Sequence, residues 1–291
     1  MAYQSVFKPG IFNDKVFLVT GGGSGIGRCT AHEIAALGGT VIIAGRNQDK
    51  LDKVSAEIKA QQGKIDTVVM DIRDESRVQE VIASLVEKYG KIDGLLNNAG
   101  GQFPAPLEHI NKKGFDAVVQ NNLTGGFLVA REVFRQSMKR NGGSIVNITA
   151  DNLNGMPIMG HSGAARAGME NLTKTAAWEW GPFGVRVNAV APGWVASSGF
   201  DTYDDRFKAV LVKVKDHVPL KRLANEAEIS SAICFLFSDG SAYINGTTIR
   251  IDGGSAFGSA PAISPLPKGP ASSTLAYDGF HLSELPQVLQ E

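Results

Sequence analysis

Val16-Phe-Leu-Val-Thr20 runs straight into Gly21-Gly-Gly-Ser-Gly-Ile-Gly27, and this stretch decides the fold. Five apolar and β-branched residues read as a buried strand. Glycines follow at once, and GRCTAHEIAALG (27–38) then carries helical periodicity. A strand, a glycine-rich turn and a helix in that order make a phosphate cradle. Gly21 and Gly25 permit positive φ and a close approach of backbone to a pyrophosphate. Gly27 lets the helix pack tightly on the sheet, and Ser24 and Ile26 complete the loop. The helix N-terminus then offers free N–H groups to an anion. A glycine-rich turn without a ligand is the alternative, but a strand–turn–helix junction is the context such a motif requires.

Outward from this junction, short apolar runs alternate with longer amphipathic ones. The runs are VFLVT (16–20), VIIAG (41–45), DTVVM (66–70), GLLNN (94–98), SIVNIT (144–149), VRVNAVA (185–191) and TTIRID (247–252). They are almost continuously hydrophobic, as parallel strands buried on both faces must be. Between them, DKLDKVSAEIKAQQG (49–63) and ESRVQEVIASLVEKYG (75–90) read as helices closed by glycine. The expectation is an α/β fold: a single Rossmann-type doubly wound domain over residues 1–257, with a seven-stranded parallel sheet. Its dinucleotide crevice should lie at the topological switch point. Residues 258–291 break the pattern as an irregular C-terminal extension, because GSAPAISPLPKGPASST (258–274) is rich in Pro and Ser and lacks periodicity. Either it is an extended tail, or DGFHLSELPQVLQE (278–291) docks on a neighbouring subunit.

Composition narrows the partners. The chain has 291 residues, 43% hydrophobic and 20% charged, which suits one large domain with an ample core. Lys+Arg and Asp+Glu each total 29, so no net charge recruits nucleic acid or a membrane surface. No apolar run is long enough to span a bilayer. The N-terminal MAYQSVFKPGIFNDK lacks the layout of a signal peptide. Cys29 and Cys234 sit in apolar helical contexts and read as buried thiols, which fits a reducing cytoplasm. No Cys/His spacing points to a metal.

The end of the second strand reads Ala44-Gly45-Arg46-Asn47. An acid at this point binds the ribose 2′-hydroxyl of NAD, whereas an arginine accommodates the 2′-phosphate of NADP. No acid stands at 43–47, and Arg46 does, with Arg28 as a candidate second charge. NADP(H) is therefore the expected cofactor, and Arg46 as a solvated loop residue is the alternative. Asp71 and Ile72, after the third strand, are placed to frame the adenine.

Further signals stand in order and at the right spacing: Asn97-Asn98-Ala99-Gly100, Asn122 in NNLTG, Pro192-Gly193 and Asp252-Gly253-Gly254. With the glycine loop they resemble the short-chain dehydrogenase/reductase family over about residues 12–255. NNAGGQF (97–103) and HSGAARAG (161–168) are most similar to peroxisomal trans-2-enoyl-CoA reductases and, more distantly, to 2,4-dienoyl-CoA reductases. Bacterial reductases of acyclic terpenoid breakdown share much of the pattern. The resemblance implies that Asn98, Ala99 and Gly100 support the adenosine, and that Pro192 and Gly193 begin the segment lining the nicotinamide. It also implies a homotetramer joined through long helices, here near 112–139 and 161–180.

This chain departs from the family where protons move. The family's tyrosine and lysine slots hold Ser162 and Arg166, and the upstream serine slot holds Ala150 or, with a shifted gap, Thr149. A serine without an activating partner is a poor base, and arginine does not shuttle protons. Alcohol oxidation is therefore disfavoured. Enoyl reduction asks less, since charge builds on the thioester oxygen and the site must chiefly supply hydrogen-bond donors. Ser162 suits the carbonyl or the nicotinamide ribose, and Arg166, one turn on, suits the ribose. Gln102 matches an asparagine that contacts the thioester in dienoyl-CoA reductases. Asn122 completes the catalytic set. Glu170 and Lys174 form a second candidate pair, at the spacing of an ordinary helix ion pair. His161 is a candidate proton donor or a packing residue. Asp151 and Asn152 are candidates to project into the site. Met156, Met159 and Trp194 suit an apolar wall.

The leading reading is an NADP(H)-dependent reductase of 2-enoyl or 2,4-dienoyl thioesters. The first alternative is a dehydrogenase of hydrophobic or terpenoid alcohols with a non-standard base. The second is a non-catalytic nucleotide-binding protein, favoured by the missing tyrosine and disfavoured by the retained Asn122, Pro-Gly segment and arginine.

Overall fold

The computed structural model describes residues 2–257 and 276–290. Seven strands form one parallel sheet in the order β3-β2-β1-β4-β5-β6-β7. They are β1 (Val16–Thr20), β2 (Thr40–Gly45), β3 (Lys64–Val69), β4 (Gly94–Asn97), β5 (Gly143–Ile148), β6 (Val185–Pro192) and β7 (Thr248–Ile251). The expected sheet is present, with strand ends shifted by a residue or two. Side chains alternate across it, as the pleat demands. Val16 and Leu18 enter one core layer, while Phe17 and Val19 enter the other. Both faces are covered, so β1 is buried along its whole length.

Helices α1 (Gly25–Ala36), α2 (Gln48–Ala60) and α3 (Glu75–Tyr89) make the first crossovers. Asn47 and Asp74 start α2 and α3 by accepting from Lys50 N and Arg77 N. A long helical run follows β4: α4 (Lys112–Val119), α5 (Gly125–Val133) and α6 (Lys139–Asn141), joined by π turns at Gln120–Thr124 and Phe134–Met138. Beyond β5 lie α7 (Gly160–Trp180), α8 (Asp205–Val214) and α9 (Glu226–Phe237). The chain builds outward from β1 to β3 and then returns to lay β4 on the other side of β1. That reversal opens a crevice at the carboxyl ends of β1 and β4.

A polar ladder ties the helices to the sheet. Asn97 Nδ2 donates to Asn147 Oδ1 and to the Gly126 carbonyl, and Asn147 Nδ2 donates to Thr173 Oγ1. Cys29 and Cys234 are free and buried. No helix among the described residues is long and apolar enough to cross a membrane.

Two expectations need correction. Arg28 does not add charge to the phosphate end of the crevice. Its guanidinium donates twice to Glu57, at 2.9 Å each, and lies over the Phe280 ring at 5.3 Å. It sits on the far face of α1, where residue 28 turns away from the loop that Gly27 contacts. The second concerns the C-terminal segment. Residues 258–275 lie outside the described residues, but 276–290 pack on their own chain. Phe280 is fully buried beside Tyr3 and His32. Gln4 N donates to Gly279 O, and Asn225 Nδ2 donates to Tyr277 O. Further on, Gln287 N donates to Asp201 Oδ1.

Removing this anchor should free the segment. Phe280→Ala deletes a buried ring, but 276–290 has the option of detaching without opening the sheet. The expected loss is therefore at most about 3 kcal/mol, the lower end for buried aromatics. Limited proteolysis should cut within 276–290 faster than in the parent chain, with a lower Tm. An unchanged cleavage pattern would show that Phe280 does not hold the segment.

Candidate active site

The crevice is a cavity of about 670 Å³ lined from five strand ends and loops. Gly21, Ser24, Gly25, Ile26, Arg46, Asp71, Ile72, Asn98, Ala99 and Gly100 all line it. Of the expected cofactor residues, Gly27, Arg166, Pro192 and Gly193 are not part of that lining.

The phosphate loop is built as its glycines require. Gly21 and Gly25 have φ of +66° and +56°. A Cβ at Gly21 would lie 2.9 Å from Ala99 Cα, and one at Gly27 would meet the Gly21 carbonyl. Gly27 thus serves the tight fit of helix against loop. Ser24 is extended and its side chain does not cap α1, so the first-turn N–H groups stay available. The loop is pinned across the crevice. Thr20 Oγ1 donates to Leu96 O and accepts from Asn98 N and Ala99 N, while Asn98 Nδ2 donates to Thr20 O and Gly21 O. Free N–H groups, glycines at 21 and 27 where a Cβ would collide with backbone, and a cavity of this size fit a dinucleotide.

At the β2 end, Arg46 is exposed and makes no hydrogen bond or ion pair among the described residues. Asn47 and Lys50 line the cavity beside it, two neighbours that the motif did not single out. Asp71 is clasped by Arg73 through Nε and Nη2, which holds its carboxyl down at about 2. Its acceptor capacity is therefore shared with Arg73. Ser197, Ser198 and Gly199 close the opposite wall. They lie just past Pro192-Gly193 and carried no sequence signal of their own.

Deeper in, Asn122 stands in the π turn between α4 and α5. Its Nδ2 donates to Gly101 O and Val118 O, and its Oδ1 accepts from Gly101 N. Arg166 reaches the same place from α7. Nη1 donates to Ile148 O at 2.6 Å, and Nη2 lies 2.8 Å from where a Gly100 Cβ would stand. Burial alone lowers its pKa to about 10, so Arg166 is a cation throughout the neutral range. Ser162 is fully buried, and its hydroxyl donates to Gln102 Oε1 in a short hydrogen bond. Gln102 Nε2 in turn donates to Tyr203 Oη at 3.4 Å.

Thr149 Oγ1 is spent on the Val190 carbonyl. His161 is fully buried, edge-on to Phe103; its Nδ1 accepts from Ser162 N, and its Nε2 is buried with no partner among the described residues. Lys174 is exposed, and it forms no ion pair with Glu170 among the described residues. Glu170 Oε1 is buried without a partner among the described residues. Asp151 faces Arg250 and Ser255. Met156, Met159 and Trp194 join Phe200, Phe207 and Leu211 in an apolar cluster, and Val288 and Leu289 of the C-terminal segment pack against it. Among the described residues, no group of three or more His, Cys, Asp or Glu is arranged to hold a metal.

Comparison with known proteins agrees with this geometry. The family described as enoyl-(acyl carrier protein) reductase matches residues 21–256. A probable 2,4-dienoyl-CoA reductase of Bacillus subtilis (strain 168) is 35% identical over 243 residues, covering 82% of this chain and 96% of that protein. A peroxisomal 2,4-dienoyl-CoA reductase of Danio rerio is 32% identical, covering 87% and 85%. Among solved structures, a citronellol catabolism dehydrogenase of Pseudomonas aeruginosa PAO1 is 54% identical with a TM-score of 0.80, covering 87% of this chain and 100% of that one.

Proposed function

The chain belongs to the short-chain dehydrogenase/reductase family of NAD(P)H-using oxidoreductases, and we propose that it reduces a hydrophobic 2-enoyl or 2,4-dienoyl thioester by hydride transfer. One observation carries the reading. Where a proton-transferring tyrosine and lysine would stand, the site holds a buried serine hydroxyl bonded to Gln102, with a cationic arginine one turn on. Such a set stabilises negative charge and is ill suited to removing a proton. A bound nicotinamide would supply the hydride, and water the proton that completes the reduction. Gly21, Gly25 and the first turn of α1 would hold its pyrophosphate. Arg166, beside Gly100 and Asn122, would hold the ribose. The hydrogen-bonded Ser162–Gln102 pair marks the polar end of the site, toward which the thioester would lie. The Met156, Met159, Trp194, Phe200, Phe207 and Leu211 cluster receives the hydrocarbon.

A second reading rests on the 54% identity to the citronellol catabolism dehydrogenase: the hydrocarbon is a branched isoprenoid, and the substrate an alcohol or aldehyde. NADPH oxidation with straight and methyl-branched 2-enoyl-CoA, 2,4-dienoyl-CoA and citronellal separates the two. Turnover of the aldehyde alone would reject thioester reduction. With the productive substrate, Arg166→Ala should lower kcat and raise the KM for NADPH. Arg166→Lys should recover part of the binding, because a compact charge survives. An unchanged NADPH KM in Arg166→Ala would remove Arg166 from the ribose site.

The proposed cofactor is NADP(H). Arg46 stands free at the mouth of the cavity, where a 2′-phosphate would take a bidentate partner. Arg46→Ala should weaken NADPH by roughly tenfold while sparing NADH, as expected for one charged hydrogen-bond partner. Equal weakening of both in a fluorescence titration would refute the phosphate role. The proposed homotetramer pairs the α5 and α7 surfaces, where Trp178 is 86% exposed. A solution mass of 30.9 kDa, that of one chain, would exclude it.

A further inference from the structure

The family's tyrosine is absent from α7, yet a tyrosine reaches the same polar cluster from another element. Tyr203 follows the turn Ser198–Thr202, immediately after the residues that wall the cavity. Its ring packs edge-on against Phe207, with centroids 4.9 Å apart, and its Oη accepts from Gln102. Resting on the thioester reading above, we propose that Tyr203 is the hydrogen-bond donor to the substrate oxygen.

The direction of the hydrogen bonds carries the assignment. Ser162 donates to Gln102 Oε1, and Gln102 Nε2 donates to Tyr203 Oη. The Ser162 proton is thereby committed, and the Gln102 amide is engaged at both ends. Tyr203 only accepts in this chain, so its own O–H has no acceptor among the described residues. It is the group left to donate outward. Donation into the phenol oxygen also polarises that O–H and strengthens the next hydrogen bond. Ser162 is fully buried, whereas Tyr203 is only half-buried, between the cavity wall and the apolar cluster. A substrate with its hydrocarbon among Met159, Phe200 and Phe207 would present its oxygen beside this phenol. Ser162 and Gln102 are then positioning residues, aligning a phenol supplied by the substrate loop. No proton need leave Tyr203. Its hydrogen bond strengthens as charge builds on the oxygen.

Tyr203→Phe keeps the ring against Phe207 and removes only the hydroxyl. The holoenzyme should lose 10- to 1000-fold in kcat, roughly the range for one oxyanion donor, with an unchanged Tm and an unchanged NADPH KM. Calorimetric binding of octanoyl-CoA, which needs no turnover, should weaken by up to about tenfold. Gln102→Leu should also lower kcat, and the double variant should fall little further than Tyr203→Phe alone, because the two act as a unit. Full kcat together with full octanoyl-CoA affinity in Tyr203→Phe would overturn the proposal. If the parent enzyme reduces no thioester, the functional reading fails separately. Tyr203→Phe is then measured on the carbonyl substrate that is turned over: a fall in kcat sustains the donor role, and full activity overturns it.

Discussion

Thr20 holds the crevice together. Its hydroxyl donates to the β4 backbone at Leu96 and accepts from the N–H groups of Asn98 and Ala99, where β4 ends. One side chain thus bridges β1 to β4 and satisfies two backbone N–H groups just past the end of β4. Asn98 answers from the other side by donating to the carbonyls of Thr20 and Gly21. The glycine loop is therefore not a floppy turn that a ligand must order. It is braced against β4 before any phosphate arrives, and the space in front of α1 follows from that bracing.

Arg166 shows what the site retains and what it gives up. A buried guanidinium with one carbonyl partner is costly, which is why its pKa falls to about 10. For a base, a depressed folded-state pKa means that folding disfavours the charged form. The penalty is present at all pH values below the folded pKa and is relieved only as the group deprotonates above it. Across the neutral range Arg166 is therefore a constant cation that weakens the fold and adds no pH dependence. A lysine with a tyrosine beside it would titrate as a coupled pair. This chain keeps the charge and removes the titratable partner.

Much of this was legible in the sequence because it rests on local pattern. Continuous apolar runs mark the strands, and the order of VFLVT, glycines and helix marks the crevice. The positive φ of Gly21 and Gly25 follows from residue type alone. What escaped depends on contacts between distant segments. Ser162 and Gln102 are 60 residues apart, and Gln102 and Tyr203 are 101 apart, so neither bond has a spacing to read. The π turn that aims Asn122 has no signature separate from an ordinary helix. Nor did the Pro- and Ser-rich composition after residue 258 disclose that Phe280, farther on, is a fully buried anchor.

That anchor also decides which charges remain for a cofactor. Arg28 is close in sequence to the phosphate loop, and from sequence it was a second phosphate partner. Glu57 of α2 and the docked C-terminal segment claim it together: Glu57 takes two of its N–H groups, Phe280 covers its face, and Leu282 O accepts at 3.5 Å. A guanidinium so engaged would have to break a bidentate pair before turning to the cavity. The positive charges lining the cavity are Arg46 and Lys50, both exposed. Exposed charges act through water and are screened over about 8 Å at physiological ionic strength. On the proposed NADP(H) reading, discrimination against NAD(H) would therefore rest on a solvent-exposed contact, and it should decline as salt is raised. The pyrophosphate held by backbone N–H groups at α1 would be far less sensitive, so salt should erode cofactor preference before it erodes cofactor binding.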